Sequence, residues 1–425
     1  MISRRDILAI AGSSLLHLPS LISQATAGNS EPVSSNALAL LGDSRTAVTT
    51  FDAATNNIQQ TALSPFVWMN ALNDQCWRLT GNFGRAGETT TQILTRLAAA
   101  LATRPAFLSI WGGVNDPRKG LTADDTWNNL QNMALAALAH NIRPIMFTDP
   151  GAAGFNGAQC RAFHGAGGLN DRIRKFCADH PRAVLVDLAP ALLSSRDPIV
   201  FKDAYSYDGV HLTSVGAYFA SLVLARAAKQ VIGAAAHVDH KGNLLSNADF
   251  TLAEGGATGA GTTGILPQSW GSVRDSADIV SARFSLNTRR DGQKELIVAC
   301  ASDAASRMGG ARVRQNIADI NPGDIIQAGC QIDVDGGYSN LCDVYCECDI
   351  NFSDGTFLQG YDFASSTSGG KYPDIGAFSL TLKTAPINIP SNKSIKSAQF
   401  FSRIRVIGNG HGTMRVRMPW VMRMT

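Results

Sequence analysis

The 425-residue chain has little of what would assign it to a non-catalytic class. Charge of one sign is not in excess: 37 Lys and Arg against 34 Asp and Glu leave a formal net charge of +3. No basic block or aromatic-basic stripe follows the leader, which sets nucleic acid aside as a partner. No uninterrupted apolar run could span a membrane comfortably, because the stretch near the N-terminus is broken by Gly12, His17 and Pro19,. Internal repeats and long low-complexity tracts are missing too. The eight cysteines do not have the spacing of a disulfide miniprotein,. Cys76, Cys160 and Cys177 lie in the first half, and Cys300, Cys330, Cys342, Cys346 and Cys348 in the second. Cys342, Cys346 and Cys348 have one parity and would share a face of a strand. Buried thiols, or one disulfide using Cys330, are the expectation there, with a metal site as the alternative. The residues call for no cofactor.

What is present is a globular composition, 45% hydrophobic and 17% charged, long enough for two cores at about 100 to 200 residues per domain. Residues 1–27 read as an export signal: Arg4 and Arg5 precede a modest apolar stretch, and Ala25, Thr26 and Ala27 supply a small-residue cleavage site,. "SRRDIL" resembles a twin-arginine signal, so the expected location is periplasmic or secreted.

From residue 36 to about 232, short apolar runs alternate with helix-like segments. Runs at 37–42, 76–82, 106–113, 143–149 and 183–189 read as strands; segments at 89–102, 125–141, 169–180 and 214–232 read as helices,. Such alternation implies right-handed crossovers and a parallel sheet with helices on both faces. Beyond residue 240 helical periodicity is scarce. Short β-rich runs such as "KELIVACA", "SAQFFSRIRVIG" and "TMRVRMPWVMRM" are separated by Gly, Asn, Asp and Ser, as in an antiparallel sandwich,. The expected domains are 28–238 and 239–425, and a chain ending at about 238 is expected to fold by itself.

The chemistry-bearing residues sit after strand ends. The apolar run from Ala37 ends at Gly42-Asp43-Ser44, Gly84 and Gly87 form a tight loop before a Thr-capped helix, Asn115 follows the third strand, and Asp208 and His211 precede the last helix. Ligands in open α/β sheets bind along that edge. Ester hydrolysis needs a nucleophile, a base, a group that orients the base and donors for the oxyanion. Ser44, His211 and Asp208 can supply the first three. The N–H groups of Ser44 and Gly87 and the Asn115 amide can supply the last.

"GDS" at 42–44, Gly87 in "AGETT", "GVND" at 113–116 and "DGVH" at 208–211 resemble, in order, the four blocks of the SGNH hydrolases, the GDSL-type esterases and lipases. The resemblance covers roughly residues 36–232. It implies a flavodoxin-like three-layer α/β/α domain, with Ser44, Asp208 and His211 as the triad and Ser44, Gly87 and Asn115 as the oxyanion hole. Arg45 and Thr46 depart from the Leu or Ile, then Thr or Ser, of many members, which implies a more polar local pocket. The chain has no G-x-S-x-G, against an α/β-hydrolase elbow.

"NLLSNADFT" and "LPQSWGS" resemble the opening of carbohydrate-binding jelly-roll modules. Trp270 or Tyr338 could then stack on a sugar, with burial in the sandwich core as the alternative,. The resemblance favours an exported esterase removing acetyl groups from an acylated carbohydrate or polysaccharide. A secreted lipase or arylesterase, an O-acyltransferase acting on glycans, and a glycan-binding protein with an inactive esterase domain are the other readings. The Gly-rich segment 149–168 is expected to form part of the pocket wall, with His164 a solvent histidine or a substrate contact.

Overall fold

The computed structural model describes residues 36–424 apart from 54–56, 230, 234–240, 254, 257–258, 260–261, 276–279, 304–306 and 365–370. The export signal lies outside the described residues.

Strand β1 (Ala37–Gly42) leads into a single helical turn, α1 (Ser44–Ala47), and then a hairpin, β2 (Thr50–Ala53) and β3 (Asn57–Thr61). Helix α2 (Pro65–Leu72), β4 (Arg78–Gly84), α3 (Thr90–Leu94) and α4 (Leu97–Ala102) follow, so the segment expected as one helix over 89–102 is two. Next come β5 (Phe107–Trp111), α5 (Ala123–Ala139), β6 (Arg143–Phe147), α6 (Gly157–His164), α7 (Leu169–Asp179) and β7 (Val184–Val186). The short α8 (Leu188–Leu192), the small hairpin of β8 (Leu193–Arg196) and β9 (Ile199–Phe201), and α9 (Ser214–Ala228) complete this part.

The sheet runs β4-β1-β5-β6-β7 with every pairing parallel. β1 is buried throughout because helices cover both faces,. Its residues alternate accordingly: Leu38 and Leu40 join one core, Ala39 and Leu41 the other,. Helix α5 buries Thr126, Leu130, Met133, Ala134 and Ala137, a stripe at helical spacing that faces the second core,.

The rest is all strand: β10 (Thr262–Gly264), β11 (Gly271–Asp275), β12 (Val280–Thr288), β13 (Lys294–Ser302), β14 (Met308–Asn316), β15 (Ile325–Val334), β16 (Ser339–Phe352), β17 (Phe357–Ala364), β18 (Phe378–Lys383), β19 (Ile387–Asn388) and β20 (Ile395–Arg423). The two runs expected as separate strands at the C-terminus are one 29-residue strand. Its first half pairs with β14 and β16, its second with β13 and β15, so it serves both layers of the sandwich. The glycines between the runs permit this passage without ending the strand.

Trp270 is 1% exposed against Phe250 and Phe400, and the Tyr338 hydroxyl donates to the Pro373 carbonyl inside the core. Neither ring can stack on a sugar. All eight cysteines are buried and free, so the disulfide is not formed. Among the described residues no cluster of His, Cys, Asp and Glu could hold a metal.

The hairpin β2-β3 belongs to this sheet: β3 runs parallel to β17, from Asn57 beside Gln359 to Thr61 beside Ala364. Nothing in the 50–75 segment announced either this hairpin or α2. Among the described residues no helix is long and apolar enough to cross a membrane.

Candidate active site

The nucleophile turn is a steric construction. A Cβ on Gly42 would stand 2.2 Å from Thr46 Oγ1 and 2.3 Å from the Trp111 carbonyl oxygen, so only glycine lets β1 turn there. Asp43 caps the next turn: its carboxylate accepts the Arg45 N–H at 2.9 Å, and its carbonyl accepts those of Thr46 and Ala47,. Ser44 is thereby the first residue of α1, at the carboxyl edge of the sheet. In the order β4-β1-β5-β6-β7 the chain reverses direction across the sheet between β1 and β5, the place where open sheets bind ligands,.

His211 reaches this point from a tight loop closed by the Ser206–Leu212 bridge. Its Nε2 lies 2.7 Å from Ser44 Oγ, and its Nδ1 2.6 Å from Asp208 Oδ2. Asp208 Oδ1 accepts the backbone N–H groups of Val210 and His211 at 2.9 and 2.7 Å, which fixes the carboxylate. With Nδ1–H donating to Asp208, Nε2 is left to accept from the serine hydroxyl. Partial burial pushes the Asp208 carboxyl up, but the hydrogen bonds from the His211 ring and the two backbone N–H groups outweigh it, so it lies below the ordinary carboxylate range. The Tyr207 ring lies nearly parallel to the imidazole, 5.7 Å between centroids, and is 46% exposed. That residue carries no motif, and sequence reasoning missed it.

On the other side of Ser44, two loops are bound together. Asn115 Nδ2 donates to the Glu88 carbonyl at 3.0 Å and Lys119 Nζ to the Gly87 carbonyl at 2.7 Å. The Arg85 N–H donates to the Gly42 carbonyl, which draws this loop onto the end of β1. Gly87 has φ +73°, a left-handed conformation that glycine adopts without strain,. The fully buried Asp116 accepts from the Thr90 N–H at 2.8 Å, the Thr90 hydroxyl and the Thr126 hydroxyl, locking Asn115 against α3 and α5. Burial raises its carboxyl despite those bonds.

Arg45 lines the recess beside His211, where a polar local pocket was expected, but its charge is paired inside the protein. It is 2% exposed and its guanidinium is spent inside the protein, on Asp43 at 3.1 and 2.8 Å and on Asp149 at 2.9 and 2.7 Å. It lies 4.9 Å from the centre of the Trp111 ring, so one side chain joins the ends of β1, β5 and β6. Burial opposes its charge, but Asp149 and Asp43 prevail and the pKa rises. The recess beside His211 is lined by Arg45, Val48, Leu63, Trp111, Tyr207, His211 and Leu212.

The 149–168 segment does reach the site, since the Ala153 N–H donates to the Gly209 carbonyl of the histidine loop. It is partly helical, however, and His164 is not a solvent histidine. Its ring contacts the Pro150 carbonyl and the Asn170 amide, and burial lowers its pKa. It supports the Asp149 loop from behind.

The family model described as the GDSL-like lipase/acylhydrolase family matches residues 40–218, the span holding all of these groups. This part of the chain is a GDSL-like acylhydrolase domain. The chain is accordingly a carboxylic ester hydrolase. No curated protein matches the chain. Among solved structures, a GDSL-like lipase from Bacteroides thetaiotaomicron is similar at 20% identity, over 46% of this chain and 87% of that one, with TM-score 0.33. A catalytic mutant of an acetylxylan esterase from Geobacillus stearothermophilus is similar at 18% identity over 48% and 99%, TM-score 0.36. A structure of carbohydrate-binding modules of the β-sandwich superfamily is similar at 13% identity over 45% and 65%, TM-score 0.26. The GDSL-like domain brings Ser44, Asp208 and His211 into one hydrogen-bonded chain and binds the Gly87 and Asn115 loops together beside it.

Proposed function

We propose that the chain is an exported serine esterase that removes small acyl groups, acetyl foremost, from an acylated carbohydrate through an acyl-enzyme. The observation that carries this reading is the continuous chain from Ser44 Oγ through His211 to Asp208. His211 Nε2 takes the serine proton as Oγ attacks the ester carbonyl, and Asp208 holds the imidazolium that forms. The same imidazole then returns the proton to the leaving alcohol, and water, activated by His211, releases the acid in the second half.

The negative charge that grows on the carbonyl oxygen falls to the N–H groups of Ser44 and Gly87 and to Asn115. An amide has two N–H donors; Asn115 uses one on Glu88 and has the second for the oxyanion,. One observation favours a carbohydrate as the alcohol part. The exposed Tyr207 ring beside the imidazole offers a flat apolar platform where the alcohol portion would sit, and sugars pack against such rings,. Export by a twin-arginine-type signal in residues 1–27 is part of the proposal.

The test is acid release from acetylated oligosaccharides alongside p-nitrophenyl esters of increasing chain length. Acetate should be released from the sugars, and rates on the aryl esters should fall steeply beyond two carbons. Higher rates on long-chain esters, with acetylated sugars untouched, would make the lipase reading correct.

A further inference from the structure

Helix α2 is unusual for a helix flanking an open sheet. Residues Pro65 to Ala71 are all buried, whereas a surface helix keeps one polar face,. What covers the outer face is the sandwich. Trp68 lies among Phe363, Tyr372 and Phe378, ring centres 4.5, 5.4 and 6.4 Å away, with Tyr218 of α9 at 5.2 Å on its other side. One apolar cluster runs without interruption from Leu38 and Leu40 of β1 through this junction to Val298 and Ile332 of the sandwich.

The polar seam matches it. Gln75 Nε2 donates to the Thr381 carbonyl at 2.5 Å and to Asp362 at 3.3 Å, the Thr381 hydroxyl to Asp74 at 2.8 Å, and Gln60 Nε2 to the Lys383 carbonyl at 2.7 Å. The seam ends close to the nucleophile. Ala62 N–H donates to the Ala364 carbonyl at the end of β17, and the adjacent Thr61 hydroxyl donates to the carbonyl of Val48, the residue that caps the Ser44 helix. Thr49 and Ser64 hydroxyls meet at 2.8 Å beside it.

We infer that the β-sandwich is an integral wall of the catalytic fold, which holds the nucleophile turn through β17, β3 and Val48, and is not a separately folding module attached for targeting. Residues 34–425 accordingly form one compact unit. Without the sandwich, Trp68 and the outer face of α2 would be exposed and β3 would have no neighbour but β2.

The full chain tests this by hydrogen exchange across a urea series, following peptides of β1 and β5 against peptides of β13 and β15, with ester hydrolysis measured on the same samples. Both sets of amides should lose protection at the same urea concentration. Ile332→Val, a mild cut in the sandwich core far from the site, should move both to lower urea together,. Sandwich peptides that shift while β1 and β5 stay protected would overturn the inference. Exchange needs no activity, so this result stands apart from the esterase reading. A second arm rests on that reading: Thr61→Val removes the bond to Val48 at nearly constant volume. It should lower kcat and the rate of fluorophosphonate labelling by about tenfold with KM unchanged, and Thr61→Ser should restore both. Wild-type labelling in Thr61→Val would show that the seam does not hold the nucleophile.

Discussion

Replacing Arg45 by leucine should be destabilising in this chain. The side chain is 2% exposed and pairs with carboxylates that are 0% and 1% exposed. Removing the shared cation leaves Asp43 with the backbone N–H of residue 45 and Asp149 with that of Gly151 at 2.7 Å, and no counter-charge. Breaking a buried pair from one side costs about 3–5 kcal/mol. Burial of the new leucine against Trp111 returns part of this, about 1.5–3 kcal/mol if fully buried, so a net loss of about 2 kcal/mol is expected at pH 7. Arg45→Leu combined with Asp149→Asn should recover stability relative to Arg45→Leu alone, the sign of coupling within one network. Urea denaturation of the wild type and these two variants, with kcat on p-nitrophenyl acetate, gives the comparison. An Arg45→Leu protein within about 0.5 kcal/mol of wild type, or no recovery in the double variant, would refute this reading of the Asp43–Arg45–Asp149 network.

Asp362 is fully enclosed at the seam, where burial pushes its carboxyl up to about 7 against the bonds it accepts from Lys383 N–H and Gln75. The folded state then keeps a proton that the unfolded state has lost, so stability should fall by about 1.4 kcal/mol per unit as the pH rises from about 4 to about 7. Asp362→Asn should flatten that slope and stabilise the protein at pH 8; an unchanged slope by denaturation would contradict the burial argument. Asn115→Ala should cost roughly 100-fold to 1,000-fold in kcat with little change in KM, because the lost donor acts on the oxyanion. Tyr207→Ala should raise KM for an acetylated sugar and leave p-nitrophenyl acetate turnover nearly unchanged; equal effects on both would remove the sugar-platform role. Replacing Arg4 and Arg5 by lysine should retain the protein in the cytoplasm, as fractionation would show, and undiminished export would exclude the twin-arginine route.

Most of the sheet was legible because β1, β5, β6 and β7 are short apolar runs that end in polar turns, and the residues of the candidate site stand in turns of this kind or just before a helix. Helix α2 was not. "PFVWMNAL" shows no amphipathic period, because the sandwich covers the side that would otherwise be polar, and that contact joins residues some 300 apart in the chain, as in the Gln75–Thr381 bond. The hairpin after Ser44 was hidden for the same reason, since its partner β17 is equally distant. Helix α6 lay in a Gly-rich stretch that suggested a loop, although Asn156 and Gln159 form a capping box that could have revealed it,. The inward pairing of Arg45 was not legible because nothing local discloses Asp149 as its partner. Trp270 and Tyr338 show the converse: an aromatic among turn residues can be core, and its role depends on which strands fold over it.

The most direct measurement is labelling of the full chain with a fluorophosphonate, followed by peptide mapping of the adduct. One adduct is expected, on Ser44, lost in Ser44→Ala and strongly slowed in His211→Ala. Ser44→Ala should keep the wild-type fold, with stability within about 1 kcal/mol, since the hydroxyl contributes little packing. The double variant should be scarcely less active than either single one, because the two groups act as a unit. An adduct on another serine, or wild-type turnover in Ser44→Ala, would contradict the assignment of the nucleophile and with it the mechanism.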